Sequence, residues 1–97
     1  MAGEVASGEA QLLDVREPQE AAMGKLKASV LVPLSALQQG NDDGADPEML
    51  TYLHCAAGVR VHPAAHMLEE LGYERVVPLA EGFGELAGLG FELETYQ

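Results

Sequence analysis

Short apolar runs separated by polar, glycine-punctuated segments set the rhythm of this chain. Gln11 to Val15, Val30 to Val32, Glu48 to His54 and Arg75 to Leu79 have the length and composition of β-strands, and each is bounded by turn-forming residues. Pro78 puts the last of them at a strand end or sheet edge, because proline cannot donate to a ladder. Helical spacing fills the intervals. Glu17 to Met23 suits a short helix with Pro18 in its first turn and Gly24 as its stop. Ser35 can cap another through Leu37 and Gln38, before Gly40. The longest begins at Arg60, where Pro63 fits the first turn and Gly72 supplies the end. In it Ala65, Leu68 and Leu71 should face the sheet, with Glu69 and Glu70 outward. Met1 to Glu9 is a frayed start or a short helix through Glu4 to Ser7. Lys25 and Lys27 fall in a loop, QGNDDGADP from Gln39 to Pro47 is a surface loop, Glu81 to Gly90 holds a short amphipathic turn through Phe83, Leu86 and Leu89, and Phe91 to Gln97 is a tail. Strands alternating with short helices predict an α/β fold with a mainly parallel central sheet covered by helices on both faces.

Composition narrows the function more than the fold. Ninety-seven residues, 47% hydrophobic, make one domain over residues 1–97 that can fold without staples. Sixteen acidic residues against five basic ones give a formal charge of −11, which argues against nucleic acid as a partner. No run is long enough to span a membrane, and the N-terminus lacks a basic-then-apolar leader, so the expectation is a soluble cytoplasmic protein. The one cysteine can form no disulfide within the chain, nor can a second thiol of the same chain resolve any adduct on it.

That cysteine, Cys55, stands where a strand turns into a helix. Ala56, Ala57 and Gly58 form the bend, so the sulfur faces unpaired backbone N–H groups and the positive end of a helix dipole, both of which favour an anion. A free thiol has a pKa near ~8.5, and helix N-termini with a neighbouring cation lower it and expose a nucleophilic thiolate. Arg60 is the cation within reach. The intervening Ala56, Ala57, Gly58 and Val59 are small enough for the backbone to curl around a group attached to the sulfur. Asp14 and Arg16, at the carboxyl end of the first strand, would lie near the same edge of a parallel sheet, where a structural ion pair or turn cap is the more ordinary role for them. Two metal arrangements carry less weight. His54, His62 and His66 with Cys55 lack the second cysteine of a structural zinc set, and Asp42, Asp43 and Asp46 lack the spacing of a calcium loop. No cofactor is expected.

Loop length separates two families of cysteine cradle. His54-Cys55 followed by a glycine and an arginine is similar to the protein tyrosine phosphatase signature, but that signature has five residues between cysteine and arginine, and here there are four. The run Cys55-Ala56-Ala57-Gly58-Val59-Arg60 resembles the Cys-x-x-Gly-x-Arg loop of the rhodanese (sulfurtransferase) family. Leu12-Leu13-Asp14-Val15-Arg16-Glu17-Pro18 resembles that family's opening strand and turn, Val32-Pro33-Leu34 its second apolar segment, and Gly72-Tyr73, Val76-Val77-Pro78-Leu79 and Glu81-Gly82-Phe83 its last strand and following loop. The chain departs from the pattern at Gly24-Lys25-Leu26, where a histidine is usual, at Val61, often Ser or Thr, and at Gly82-Phe83, where a Gly-Gly pair and a tryptophan are usual.

The resemblance implies a single-domain rhodanese fold and a two-step sulfur transfer. Cys55 would take a sulfane sulfur from thiosulfate or another persulfide donor and pass it to cyanide or a thiol acceptor, which could be a protein. The backbone N–H groups of Ala56 to Arg60 would stabilise the outer sulfur, with Arg60 orienting the donor. The acidic body repels small dianions, screened over about 8 Å at physiological salt, so a protein or a neutral thiol is the expected partner and thiosulfate turnover should rise on adding salt. The alternatives are a non-catalytic rhodanese-like binding module and, more remotely, a cysteine-dependent phosphatase or arsenate reductase.

Overall fold

The computed structural model describes residues 2–94. In chain order it contains α1 (Ala2–Ser7), β1 (Ala10–Asp14), α2 (Pro18–Ala21), β2 (Lys25–Leu26), β3 (Ser29–Leu31), α3 (Leu34–Leu37), β4 (Leu50–His54), α4 (Val61–Glu70), β5 (Val76–Pro78), α5 (Phe83–Gly88) and β6 (Leu93–Glu94). Four strands form one parallel sheet in the order β3-β1-β4-β5. Pro78 ends the edge strand β5, as its missing N–H requires.

Alternation along the two central strands divides the interior. Leu13 and Leu53, paired in register, point to one face, where Leu37 of α3 and Val61, Ala64, Ala65 and Leu68 of α4 cover them. Leu12 and its partner Tyr52 point to the other face, against Leu26, Leu79, Leu86 and Phe91. The sheet is thus covered on both sides, and β1 is buried along its whole length. Gln11 fastens the acidic loop to this core: its amide donates to the Asp46 carbonyl at 2.7 Å and to the Thr51 hydroxyl at 2.8 Å. In the same loop Asp42 accepts the Tyr73 hydroxyl at 2.6 Å.

Four local expectations change in the folded chain. Leu71 is 39% exposed because it lies past the last turn of α4: the Gly72 N–H bonds to the Glu69 carbonyl and the Tyr73 N–H to that of Leu68, a Schellman closure with Gly72 at φ 102°. Tyr73 takes the buried place instead. Ser35 does not cap α3; Pro33 is the N-cap, and the Ser35 hydroxyl donates to Glu17 at 2.6 Å. Lys25-Leu26 and the start of the tail are not irregular: they pair antiparallel as β2 and β6, drawn together by the buried Phe91. The end of the tail, residues 95–97, lies outside the described residues.

Candidate active site

Parallel register brings the candidate residues to one edge. Asp14 and His54 are register partners and end β1 and β4, so Val15-Arg16 and Cys55 leave the sheet side by side. The Val15 N–H still bonds to the His54 carbonyl at 3.0 Å, which prolongs the ladder to the start of the loop. Beyond it, residues 56–60 curl back and enter α4.

Two glycines permit that curl. Gly58 has φ 76°, in the left-handed region, and a Cβ there would run into the Ala80 carbonyl oxygen. Gly82 faces the loop from the opposite side, where a Cβ would collide with the Ala56 carbonyl oxygen. That carbonyl accepts the Phe83 N–H at 3.3 Å. The loop after β5 therefore acts as a backplate for the cysteine loop, a contact across some twenty-five residues of sequence that only glycines allow.

Cys55 itself is 1% exposed, and its Sγ accepts the Gly58 N–H at 3.1 Å. Burial pushes the thiol up, but the backbone N–H groups of Ala57, Arg60, Val59 and Val61 together outweigh it and hold the thiol below its ordinary value. The cradle is thus made by main chain. Val61, absent from the residues singled out by spacing, contributes because its N–H belongs to the first turn of α4, where such groups are unpaired. Ala56 instead directs its carbonyl to Phe83.

Arg60 is placed otherwise than a simple counter-ion to the thiolate. Its Nη1 and Nη2 donate to Oε1 and Oε2 of Glu20 on α2 at 2.5 and 2.8 Å, with both side chains about one-third exposed. Glu20 is lowered to about 2, first by that hydrogen bond and then by the Glu17 N–H. Arg60 is held more firmly in its charged form, chiefly by Glu20, with the Cys55 and Glu17 charges adding to the effect.

Asp14 and Arg16 form the framework beneath. Arg16 donates Nε to Asp14 Oδ1 at 3.0 Å and Nη2 to Oδ2 at 2.8 Å, then spends Nη2 again on the Gly24 carbonyl at 2.9 Å. Both side chains are buried. The guanidinium lies 4.2 Å from the Phe83 ring centre, a cation–π contact that occupies its face, and Phe83 also stacks on His54 with ring centres 6.4 Å apart. His54 is fully buried, its Nε2 has no hydrogen-bond partner, and burial lowers its pKa against the opposing pull of Asp14. His62 and His66 are exposed on α4. Among the described residues no three His, Cys, Asp or Glu side chains converge on a point where a metal could sit, and no helix is long and apolar enough to cross a membrane.

A thiol that accepts a main-chain N–H where a parallel strand turns into the helix after it defines a class: α/β domains with a cysteine loop at the carboxyl edge of the sheet. Within that class the chain belongs to the Rhodanese-like domain family, whose family model matches residues 2–88. It is 35% identical over 79 residues to the uncharacterized protein YqhL of Bacillus subtilis strain 168, an alignment that covers 81% of this chain and 62% of that protein, less than two thirds of the relative's length. Among solved structures, a rhodanese-like domain protein from Staphylococcus aureus is 28% identical with a TM-score of 0.72, covering 91% of this chain and 82% of that one. A human single-domain sulfurtransferase is 25% identical with a TM-score of 0.75, covering 92% and 90%.

Proposed function

We propose that this chain is a sulfurtransferase that carries a sulfane sulfur as a persulfide on Cys55. The observation that carries this reading is the set of main-chain N–H groups around Sγ, which favour a thiolate in the resting state and a terminal persulfide anion after loading. Membership of the rhodanese-like family and the likeness to a human sulfurtransferase support it. In the first step the Cys55 thiolate attacks the outer sulfur of the donor. The donor's S–S bond breaks and its electron pair leaves with the inner fragment, as sulfite when the donor is thiosulfate. In the second step cyanide or a thiolate attacks the outer sulfur of the persulfide, and Sγ departs as the thiolate it began as. The products are thiocyanate or a new persulfide, and the enzyme is unchanged. Asp14 and Arg16 support the site by holding the carboxyl end of β1 and the turn at Gly24 in place.

Intact mass spectrometry after incubation with thiosulfate or a thiol persulfide tests this directly. The expected result is a gain of one sulfur atom, mapped to Cys55 and removed by a thiol or cyanide chase. Cys55→Ser should take up none. A folded protein whose Cys55 alkylates but accepts no sulfur from either donor would overturn the proposal in favour of a binding module.

A further inference from the structure

The only cation of the cysteine loop is already engaged. Glu20 takes the Nη1/Nη2 end of the Arg60 guanidinium in a two-point contact, and Glu20 is itself braced from behind. The Glu17 N–H donates to Glu20 Oε1 at 3.0 Å, while the Glu17 carboxylate receives the Ser35 N–H at 3.2 Å and the Ser35 hydroxyl at 2.6 Å. This chain of contacts runs from α3 through α2 to the loop, so the carboxylate is fixed where it meets the arginine. The charges around the site do not favour a highly charged anion. Three cations, Arg16, Arg60 and the nearby Lys25, stand against three carboxylates, Asp14, Glu17 and Glu20, so these groups offer no net positive charge even before the thiolate is counted. The whole chain, these groups included, carries a formal −11.

We propose that Glu20 is a positioning residue that sets the charge of the donor: by pinning and neutralising Arg60 it makes the cradle select sulfur donors of low negative charge over dianions. The assignment takes the identity of the incoming group from the sulfur-transfer reading above. The physical basis is that a dianion gains twice as much as a monoanion from an unmasked guanidinium at the same distance, and loses twice as much when a carboxylate masks it. The main-chain N–H groups are unaffected by either state and serve any donor alike.

The experiment compares the wild type with Glu20→Gln and Glu20→Asp in two measurements. One is the rate of single-turnover loading of Cys55 by thiosulfate, a dianion, relative to benzenethiosulfonate, a monoanion that offers the same sulfane sulfur. The other is alkylation of Cys55 by iodoacetate relative to iodoacetamide, which differ by one charge and need no sulfur transfer. In Glu20→Gln both ratios should rise on the order of 5-fold at low salt, and the increase should shrink as salt is added. Glu20→Asp keeps the charge, so its ratios should stay within about twofold of wild type even if its absolute rates fall; a positional defect without a charge role would slow both members of each pair equally. Unchanged ratios in Glu20→Gln, or an equal rise in Glu20→Asp, would overturn the assignment while leaving sulfur transfer intact. A shifted alkylation ratio in a protein that neither donor loads would uphold Glu20 as a charge filter and refute sulfur transfer.

Discussion

Two arginine–carboxylate pairs lie beside the same cysteine, and burial makes them different devices. Asp14–Arg16 is buried, closes on itself in a bidentate contact, and Arg16 is further engaged by the Gly24 carbonyl and the Phe83 ring. Glu20–Arg60 has equally good geometry, but both partners are about one-third exposed and water competes for them. Removing one partner from the first strands a charge in a low-dielectric interior; removing one from the second leaves a charge that water can solvate. The first pair is architecture, and the second is free to tune chemistry.

The sharpest way to break this contrast is through stability. Asp14→Ala should destabilise the fold by about 3–5 kcal/mol, because Arg16 is left buried and unpaired; denaturant unfolding reads it, and a loss under ~1 kcal/mol would end the distinction. Gly58→Ala comes next, at about 1–3 kcal/mol, from a left-handed backbone position and the collision with Ala80. The same change should raise the pH midpoint of Cys55 alkylation toward that of an ordinary thiol, since the loop N–H groups lose their aim; an unmoved midpoint would mean that the cradle does not depend on the loop's shape.

Arg60→Gln should cost no more than about 1 kcal/mol of stability and yet slow sulfur loading roughly tenfold or more. Calorimetry beside a single-turnover assay gives both numbers, and a stability loss as large as that of Asp14→Ala would place the two pairs in one class. The smallest effect concerns His54. Its folded pKa is lowered by burial, so the unfolded chain binds the proton more readily, and the stability this contributes is full above pH ~6.5 and fades as pH falls below it. His54→Phe should flatten the fall in stability as pH drops below ~6.5. A variant that follows the wild-type slope would show that another group governs acid sensitivity.

The contrast between the pairs was half legible along the chain. Asp14 and Arg16 are two residues apart at a strand end, so a local ion pair could be foreseen. Glu20 and Arg60 are forty residues apart, and nothing in the periodicity of either segment joins them; the one hint was Glu17 and Glu20 at i, i+3 around Pro18, which marks a helix start rather than a binding partner. Val61 was obscured for another reason. Its contribution is a main-chain N–H, which every non-proline residue possesses, so side-chain chemistry could not single it out. Phe83, expected in a short amphipathic turn at a point where the chain departs from the family pattern, covers Arg16 and stacks on His54.

By itself the sequence determined the order and type of most of the elements, the parallel sheet, the stop at Gly72 and the placing of the lone cysteine between strand and helix, because periodicity, glycine and proline act locally. Tertiary structure decided what is within reach of what. The packing of the Gly82 loop behind the Cys55 loop, the pairing of β2 with β6, the burial of Tyr73 in place of Leu71 and the capture of Arg60 by Glu20 all join residues that a one-dimensional pattern holds apart, and each depends on the sheet first bringing its strand ends to a common edge.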